Sequence, residues 1–420
     1  MDRQELRQRV LAMPVWDTHT HLVPDALPAQ DFWDIGHYFW FLRELQAAGY
    51  PAQPEALPED ARIKAYLRAF NATRNTSMNW VVRHILSELY GIQLTDADSV
   101  RAADRAVRER AADPGWPRRV VTKLAIRRIC VHADEPVEFA NLPGVSHIAP
   151  IDAGLAWGAL IERALTAADR RAAVQHAIVE IDRAVDDLAQ AGVTCLRAPE
   201  FPFVALGRAA YADAELTAGA GRQAVELALG HALYRALDRA AMQGRVMVAQ
   251  LFVGVEPTTG GQRIGVDDTR RIPNLHGLFD RYPNGRFELI SGAEGNNLDV
   301  VQAARVYPNV YVGGMWWYNF RASTYRQSMQ YRLEALPSRK CSLVVSDARC
   351  IEWCYGKILL IKHLLAEFLS DQIQRGWLDP AGALRVAQDW LYGSAAALYA
   401  ERQTSAGGDK PPSKTETLRK

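Results

Sequence analysis

Short runs of apolar and β-branched residues recur along the chain, separated by stretches whose apolar positions repeat every three to four residues. The strand-like runs fall at 15–19, 128–132, 145–149, 194–198, 245–252, 286–290, 309–313 and 342–346. Helical periodicity occupies 161–191, 222–243, 268–280, 298–306 and 323–336 between them, and 355–376 and 380–400 after the last. Unbroken apolar runs of this kind suit strands buried on both faces. Their alternation with helices predicts a parallel sheet joined by right-handed crossovers. Eight such units predict an α/β fold of the (β/α)8 TIM-barrel type, with its chemistry at the C-terminal ends of the strands. The link between the second and third strands is too short for a full helix, so the barrel departs from the ideal pattern.

Residues 24–120 break the rhythm. Five prolines (Pro24, Pro28, Pro51, Pro54, Pro58) punctuate the early part, and helical patterns follow at 61–70, 78–90 and 96–112. We read this stretch as a helical insertion domain leaving the first strand on the catalytic face. Residues 1–23 and 121–402 then form the barrel with its closing helices. Residues 403–420 (QTSAGGDKPPSKTETLRK) are polar, contain Gly and Pro, and are expected to be a disordered tail.

The composition narrows the classes of function. Of 420 residues, 49% are hydrophobic and 23% charged, which is the balance of a globular protein. The 49 Lys+Arg nearly cancel the 48 Asp+Glu, leaving a formal charge of +1 and no global field for nucleic acid or an anionic membrane. No apolar run approaches the ~18–20 residues that span a bilayer. The opening stretch MDRQELRQRVLAMPVWD reads as an amphipathic helix without a secretory apolar core. Five cysteines with no CxxC pair, mostly in or beside apolar runs, read as reduced buried thiols. A cytoplasmic enzyme with a small-molecule substrate, and with neither nucleic acid nor membrane as partner, is the expectation.

The sharpest chemical signal is Asp17-Thr18-His19-Thr20-His21, directly after the apolar Pro14-Val15-Trp16. Residues two apart on an extended strand share a face, so His19 and His21 can meet one metal ion. Imidazole nitrogens at ~2.0–2.1 Å suit zinc and related divalent ions. A solvent-exposed pair at a strand end is the alternative. Asp347 stands where the 342–346 run should stop. Strands one and eight adjoin in a closed barrel, so its carboxylate would come near the two histidines as ligand, as base, or as both in turn. Its plainer role would be a helix N-cap.

These residues carry a resemblance. Asp17–Leu22 (DTHTHL), Gly36–Trp40 (GHYFW), Gly313–Asn319 (GGMWWYN) and Ser346–Arg349 (SDAR), in that order and spacing, resemble the uronate isomerases, a divergent branch of the metal-dependent amidohydrolase superfamily. Weaker similarity runs through 76–91 and 351–399. The resemblance implies an amidohydrolase-like barrel with a helical insertion after its first strand, one divalent ion, zinc being expected, and a homo-oligomer. It implies that His19, His21 and Asp347 are metal ligands and that His37 and Tyr38 reach the substrate from the insertion. It likewise implies that Arg349 binds substrate oxygens and that Trp316 or Trp317 packs on the sugar. Insertion core for His37 and Tyr38, rim packing for the tryptophans and a surface ion pair for Arg349 are the plainer alternatives. Where the family carries a histidine in a QLH pattern at strand five, this chain reads Gln250-Leu251-Phe252. The arginine expected soon afterwards falls near Glu256-Pro257, and the one expected after strand three is missing from His147-Ile148-Ala149-Pro150. His132, Asp134, His147 and Arg197 are candidates to replace these contacts; Arg197, if it points inward, can hold a carboxylate bidentately.

The retained set suits an aldose–ketose isomerisation of a hexuronate or related sugar acid. That reaction moves a proton between C2 and C1 and needs a base, an acid–base partner and positive charge for the enediolate. Asp347 as base, with Tyr38 or His37 as shuttle, would meet these needs. The competing expectation is a mononuclear metal-dependent hydrolase or decarboxylase, with Asp347 taking a proton from water.

Overall fold

The computed structural model describes residues 1–399 apart from 137, 141, 143, 153, 154, 199–220 and 260. The tail expected at 403–420 lies outside the described residues. Seven parallel strands form one sheet in the order β1 (Val15–Thr20), β2 (Ile126–His132), β3 (Val145–Pro150), β4 (Cys195–Ala198), β5 (Val248–Val253), β8 (Arg286–Ser291) and β9 (Val310–Met315). β6 (Val255–Pro257) and β7 (Arg263–Gly265) make a separate antiparallel hairpin. No helix among the described residues is long and apolar enough to cross a membrane.

The eighth strand expected at 342–346 is an extended segment without a regular ladder. It sits between β9 and β1 and closes the barrel through scattered bonds. Ser342 N–H donates to the Val312 carbonyl (2.8 Å), Thr18 N–H to the Val344 carbonyl (3.1 Å) and Asp347 N–H to the His19 carbonyl (2.8 Å). Two of its amides leave the ladder: Leu343 N–H donates to the Trp390 carbonyl (2.9 Å) and Ser346 N–H to Asp17 Oδ1 (2.9 Å). A side-chain acceptor and a helical carbonyl have replaced strand partners, and for that reason the ladder is irregular. Gly314 permits the close approach, since a Cβ there would stand 2.7 Å from the Val345 nitrogen. Arg332, fully buried, donates to the carbonyls of Ser342 (2.7 Å) and Gly313 (2.8 Å) and so pins the segment to β9.

The crossovers largely follow the periodicity. Expected helices appear at Arg222–Met242, Asn296–Val306, Ala322–Ala335 and Ile351–Gln374, whereas 161–191 is split into Trp157–Thr166 and Arg170–Gln190. The helix expected at 268–280 is mostly absent. Gly254, at φ +92°, turns the chain off β5 into the β6–β7 hairpin, and Pro273 leaves only short helical turns at Pro273–Leu275 and His276–Arg281. The stretch between β1 and β2 is helical, including Glu59–Ala72, Ser77–Tyr90 and Ala97–Ala111. It packs tightly on the helix Ile351–Gln374: a Cβ on Gly356 would lie 2.5 Å from Val81 Cγ1. Lys362 on that long helix donates to the carbonyls of Leu11, Met13 and Leu124, fastening the N-terminal helix and the approach to β2. The barrel floor is filled by Trp16, Cys130, Cys195, Val248 and Tyr399, the last from the C-terminal helix Ser394–Tyr399. All five cysteines are buried free thiols.

Candidate active site

β1 ends at the mouth of the barrel with His19 fully buried and His21 partly exposed. Their Nε2 atoms are 3.3 Å apart, and Asp347 Oδ1 lies 3.1 Å from His21 Nε2 and 3.6 Å from His19 Nε2. The three donor atoms fall within 4.8 Å of one another. Second-layer contacts fix the orientation of His19. Gln250 Nε2 faces three acceptors, the Thr18 carbonyl (2.9 Å), Glu288 Oε2 (2.8 Å) and the Tyr399 hydroxyl oxygen (2.9 Å). Its Oε1 is left to accept from His19 Nδ1–H at 2.7 Å. The proton of His19 therefore sits on Nδ1 and the Nε2 lone pair points into the cluster, as metal ligation requires. Burial, with the neighbouring His21 ring, the Arg197 guanidinium and the His132 ring, holds the pKa of His19 well below the ordinary imidazole value. Two neutral imidazoles and a carboxylate, with the tautomer set from behind, fit a divalent ion that keeps open positions for substrate.

Asp347 is held in an unusual backbone state. Its φ is +50°, a left-handed conformation that non-glycine residues seldom adopt. Its carbonyl accepts from Tyr38 O–H (3.1 Å) and from Trp317 Nε1–H (3.1 Å), which fasten the peptide on both sides. Trp316 Nε1–H donates to Oδ2 of the carboxylate at 2.8 Å, leaving Oδ1 to the histidines. Tyr38 is stacked on Trp353 with ring centroids 4.3 Å apart, and burial drives its hydroxyl pKa well above the ordinary value.

A cavity of about 720 Å³ opens beside this cluster, lined in part by His132, Arg197, Phe252, Arg263, Arg271 and Trp316. His132 ends β2 with its ring centroid 4.8 Å from that of His21, and burial lowers its pKa to about 3. Its Nε2 is buried with no hydrogen-bond partner among the described residues. Phe252, in place of the expected histidine, sets its ring 4.7 Å from His19 and 4.8 Å from Trp316. The guanidinium of Arg197 lies 4.8 Å from the Phe252 ring centroid and lines the cavity, so it does point inward.

Other candidates are placed further out. His37 packs among Trp33, Tyr50 and Tyr66 within the helical stretch, with Nε2 2.8 Å from the Tyr50 hydroxyl, and burial lowers its pKa to about 4. His147 Nε2–H donates to the Ala133 carbonyl (2.6 Å), which turns its ring toward the β2–β3 link. Asp134 is exposed on that link. Arg349 is exposed, its guanidinium 5.5 Å from the Phe39 ring centroid.

Sequence reasoning missed the Gln250–Glu288–Tyr399 network, the two hairpin-side arginines and Lys357. Lys357 is fully buried, donates to the Met315 carbonyl (3.1 Å) and lies 4.1 Å from the Trp317 ring centroid; burial lowers its pKa to about 7. Gln250, Glu288 and Lys357 each interrupt an apolar run, and a polar residue in such a run was the available signal.

No family model and no curated protein matches the sequence. Among solved structures, the uronate isomerase of Thermotoga maritima superposes with a TM-score of 0.77 at 13% identity, covering 95% of this chain and 97% of the other. The glucuronate isomerase of Caulobacter crescentus gives 0.74 at 14%, covering 94% and 93%. The uronate isomerase of Bacillus halodurans gives 0.71 at 16%, covering 94% and 96%. The fold is that of the uronate isomerases. Coverage is nearly complete on both sides, so the helices between β1 and β2 are part of the shared architecture.

Proposed function

We propose that this chain is a metal-assisted aldose–ketose isomerase acting on a hexuronate or a related sugar acid. The observation that carries the proposal is the setting of Asp347. Its carboxylate offers one oxygen to His19 and His21 and receives an indole N–H on the other, beside a cavity with inward arginine charge. A divalent ion held by His19, His21 and Asp347, zinc by its donor set, would supply Lewis-acid stabilisation of substrate oxygens. Asp347 carries the proton between adjacent carbons, and the Trp316 indole keeps its carboxylate aimed at the cavity. Tyr38 and Trp317 hold the Asp347 peptide in its left-handed state. For Tyr38 to act as a proton shuttle it must first release that carbonyl, so in this reading it is a positioning residue. His37 supports the wall that carries Tyr38. Arg197 is among the cations available to a substrate carboxylate or hydroxyl from within the cavity, and Arg349 from the exposed side. Buried, unpaired thiols suit a reducing cytoplasmic setting.

Incubating zinc-loaded protein with D-glucuronate and D-galacturonate should yield the corresponding ketose. Absence of product from both, in protein shown to hold its metal, rejects the proposal and favours the hydrolase or decarboxylase alternative.

A further inference from the structure

Positive charge gathers at the barrel mouth in places unlike those expected from strands three and five. Arg197 is the last residue but one of β4 and is mostly buried, its guanidinium against Phe252. Arg263 enters the same cavity from β7, the outer strand of the hairpin that follows β5. Arg271 also lines the cavity, but it is engaged by Glu256. Neither Arg197 nor Arg263 makes a salt bridge with a described residue. Burial disfavours the charge on Arg197 most, the Asp347 carboxylate favours it, and Arg263 is close enough to disfavour it further. Asp152, Glu256 and Asp268 also line the cavity, but none forms an ion pair with Arg197 or Arg263, so both guanidinium groups keep their hydrogen-bonding faces for an anionic ligand.

We propose that Arg197 and Arg263 form a two-arginine clamp for the carboxylate of the substrate. The β6–β7 hairpin supplies the second arginine in place of those missing after strands three and five. The proposal rests on the sugar-acid reading of the same site and names which end of the substrate is recognised, and by what. Arg197 is the fixed half: Phe252 lies against its guanidinium and also touches His19 and Trp316, so the clamp and the His19–His21–Asp347 cluster share one aromatic wall. Arg263 is the adjustable half, carried on an exposed three-residue strand that, among the described residues, pairs with β6 alone. Planar guanidinium groups match a carboxylate in bidentate geometry, which an ammonium does not. The Phe252 substitution acquires a purpose on this account: a histidine there would add a ligand to the cluster, whereas phenylalanine seats Arg197.

The test uses two open-chain probes, D-gluconate and its neutral counterpart D-glucitol. Each is titrated calorimetrically into zinc-loaded wild type, Arg197→Gln, Arg263→Gln and Arg263→Lys. Wild type should bind gluconate far more tightly than glucitol. Either glutamine variant should lose roughly 10–100-fold in gluconate affinity and none in glucitol affinity, with lysine restoring part of the loss at 263. Equal affinity of wild type for the two probes, or unchanged gluconate affinity in Arg263→Gln, overturns the clamp. Arg263 is exposed, so its variants are expected to fold, which thermal unfolding checks. The outcome is separable from the activity. A protein that shows the charge-dependent pattern but turns over no hexuronate keeps the clamp and loses the isomerase reading. One that isomerises hexuronates with an unchanged KM in Arg263→Gln keeps the reading and loses the clamp.

Discussion

Replacing Gln250 by methionine keeps the length of the side chain and removes both its acceptor and its donors. His19 Nδ1–H then loses its partner at 2.7 Å, and nothing behind the ring holds the proton away from Nε2. Loss of an outer partner of a ligating histidine costs about 10–100-fold in metal affinity, or roughly 1.4–2.7 kcal/mol. The same change takes the 2.8 Å donor from the fully buried Glu288 carboxylate, which keeps the Tyr399 and Thr18 hydroxyls; a lost bond to a buried charged group is worth about 1.5–3 kcal/mol of folding stability. Tyr399→Phe separates the two effects. It takes a hydroxyl from Glu288 and Gln250 without touching His19. We expect Gln250→Met to lose both zinc affinity and stability, and Tyr399→Phe to lose stability with little change in zinc affinity. Competition against a chromophoric chelator measures the first quantity, and urea unfolding of the metal-free proteins the second. Wild-type zinc affinity in Gln250→Met would refute the reasoning, as would an equal loss of affinity in Tyr399→Phe.

Trp316→Phe removes the 2.8 Å bond to Asp347 Oδ2 and should lower kcat/KM by roughly 10–100-fold, as expected for a hydrogen bond to a charged group; unchanged steady-state rates would remove Trp316 from the chemistry. Tyr38→Phe should cost about 1 kcal/mol of stability and lower kcat in part. Abolished turnover at full stability would instead make the hydroxyl a proton carrier. Burial lowers the pKa of His37 to about 4, so between that value and about 6.5 the unfolded chain binds a proton that the folded chain does not. Stability must therefore fall as pH drops through this window. His37→Gln should flatten the fall between pH 7 and pH 4.5 by about 2–3 kcal/mol, read by urea unfolding at the two pH values.

The barrel was legible because parallel strands covered on both faces show as apolar runs, and the runs at 15–19 and 286–290 correspond closely to β1 and β8. The meeting of His19, His21 and Asp347 was legible from the same source, since the first and last segments of a closed barrel must adjoin. The β6–β7 hairpin was not. Its strands are three residues long and largely exposed, so no apolar period marks them, and the helical pattern over 268–280 yields to Pro273. Arg263 was invisible for that reason. The tryptophans could be placed on the barrel rim but not aimed. Only the turn after β9 brings the Trp316 indole to the carboxylate and the Trp317 indole to the main-chain carbonyl of one residue. Arg332, Lys357 and Lys362 sit in helical segments where charge ordinarily signals a solvated face. Each instead enters the interior to bond carbonyls of neighbouring elements.

The most direct measurement is proton NMR of the zinc-loaded wild type and Asp347→Asn in deuterated water, each supplied with D-glucuronate or D-galacturonate. Wild type should convert at least one aldose to its ketose, and Asp347→Asn, folded as judged by thermal unfolding, should convert neither. No ketose from wild type with either sugar, or ketose formed at the wild-type rate by Asp347→Asn, would contradict the account.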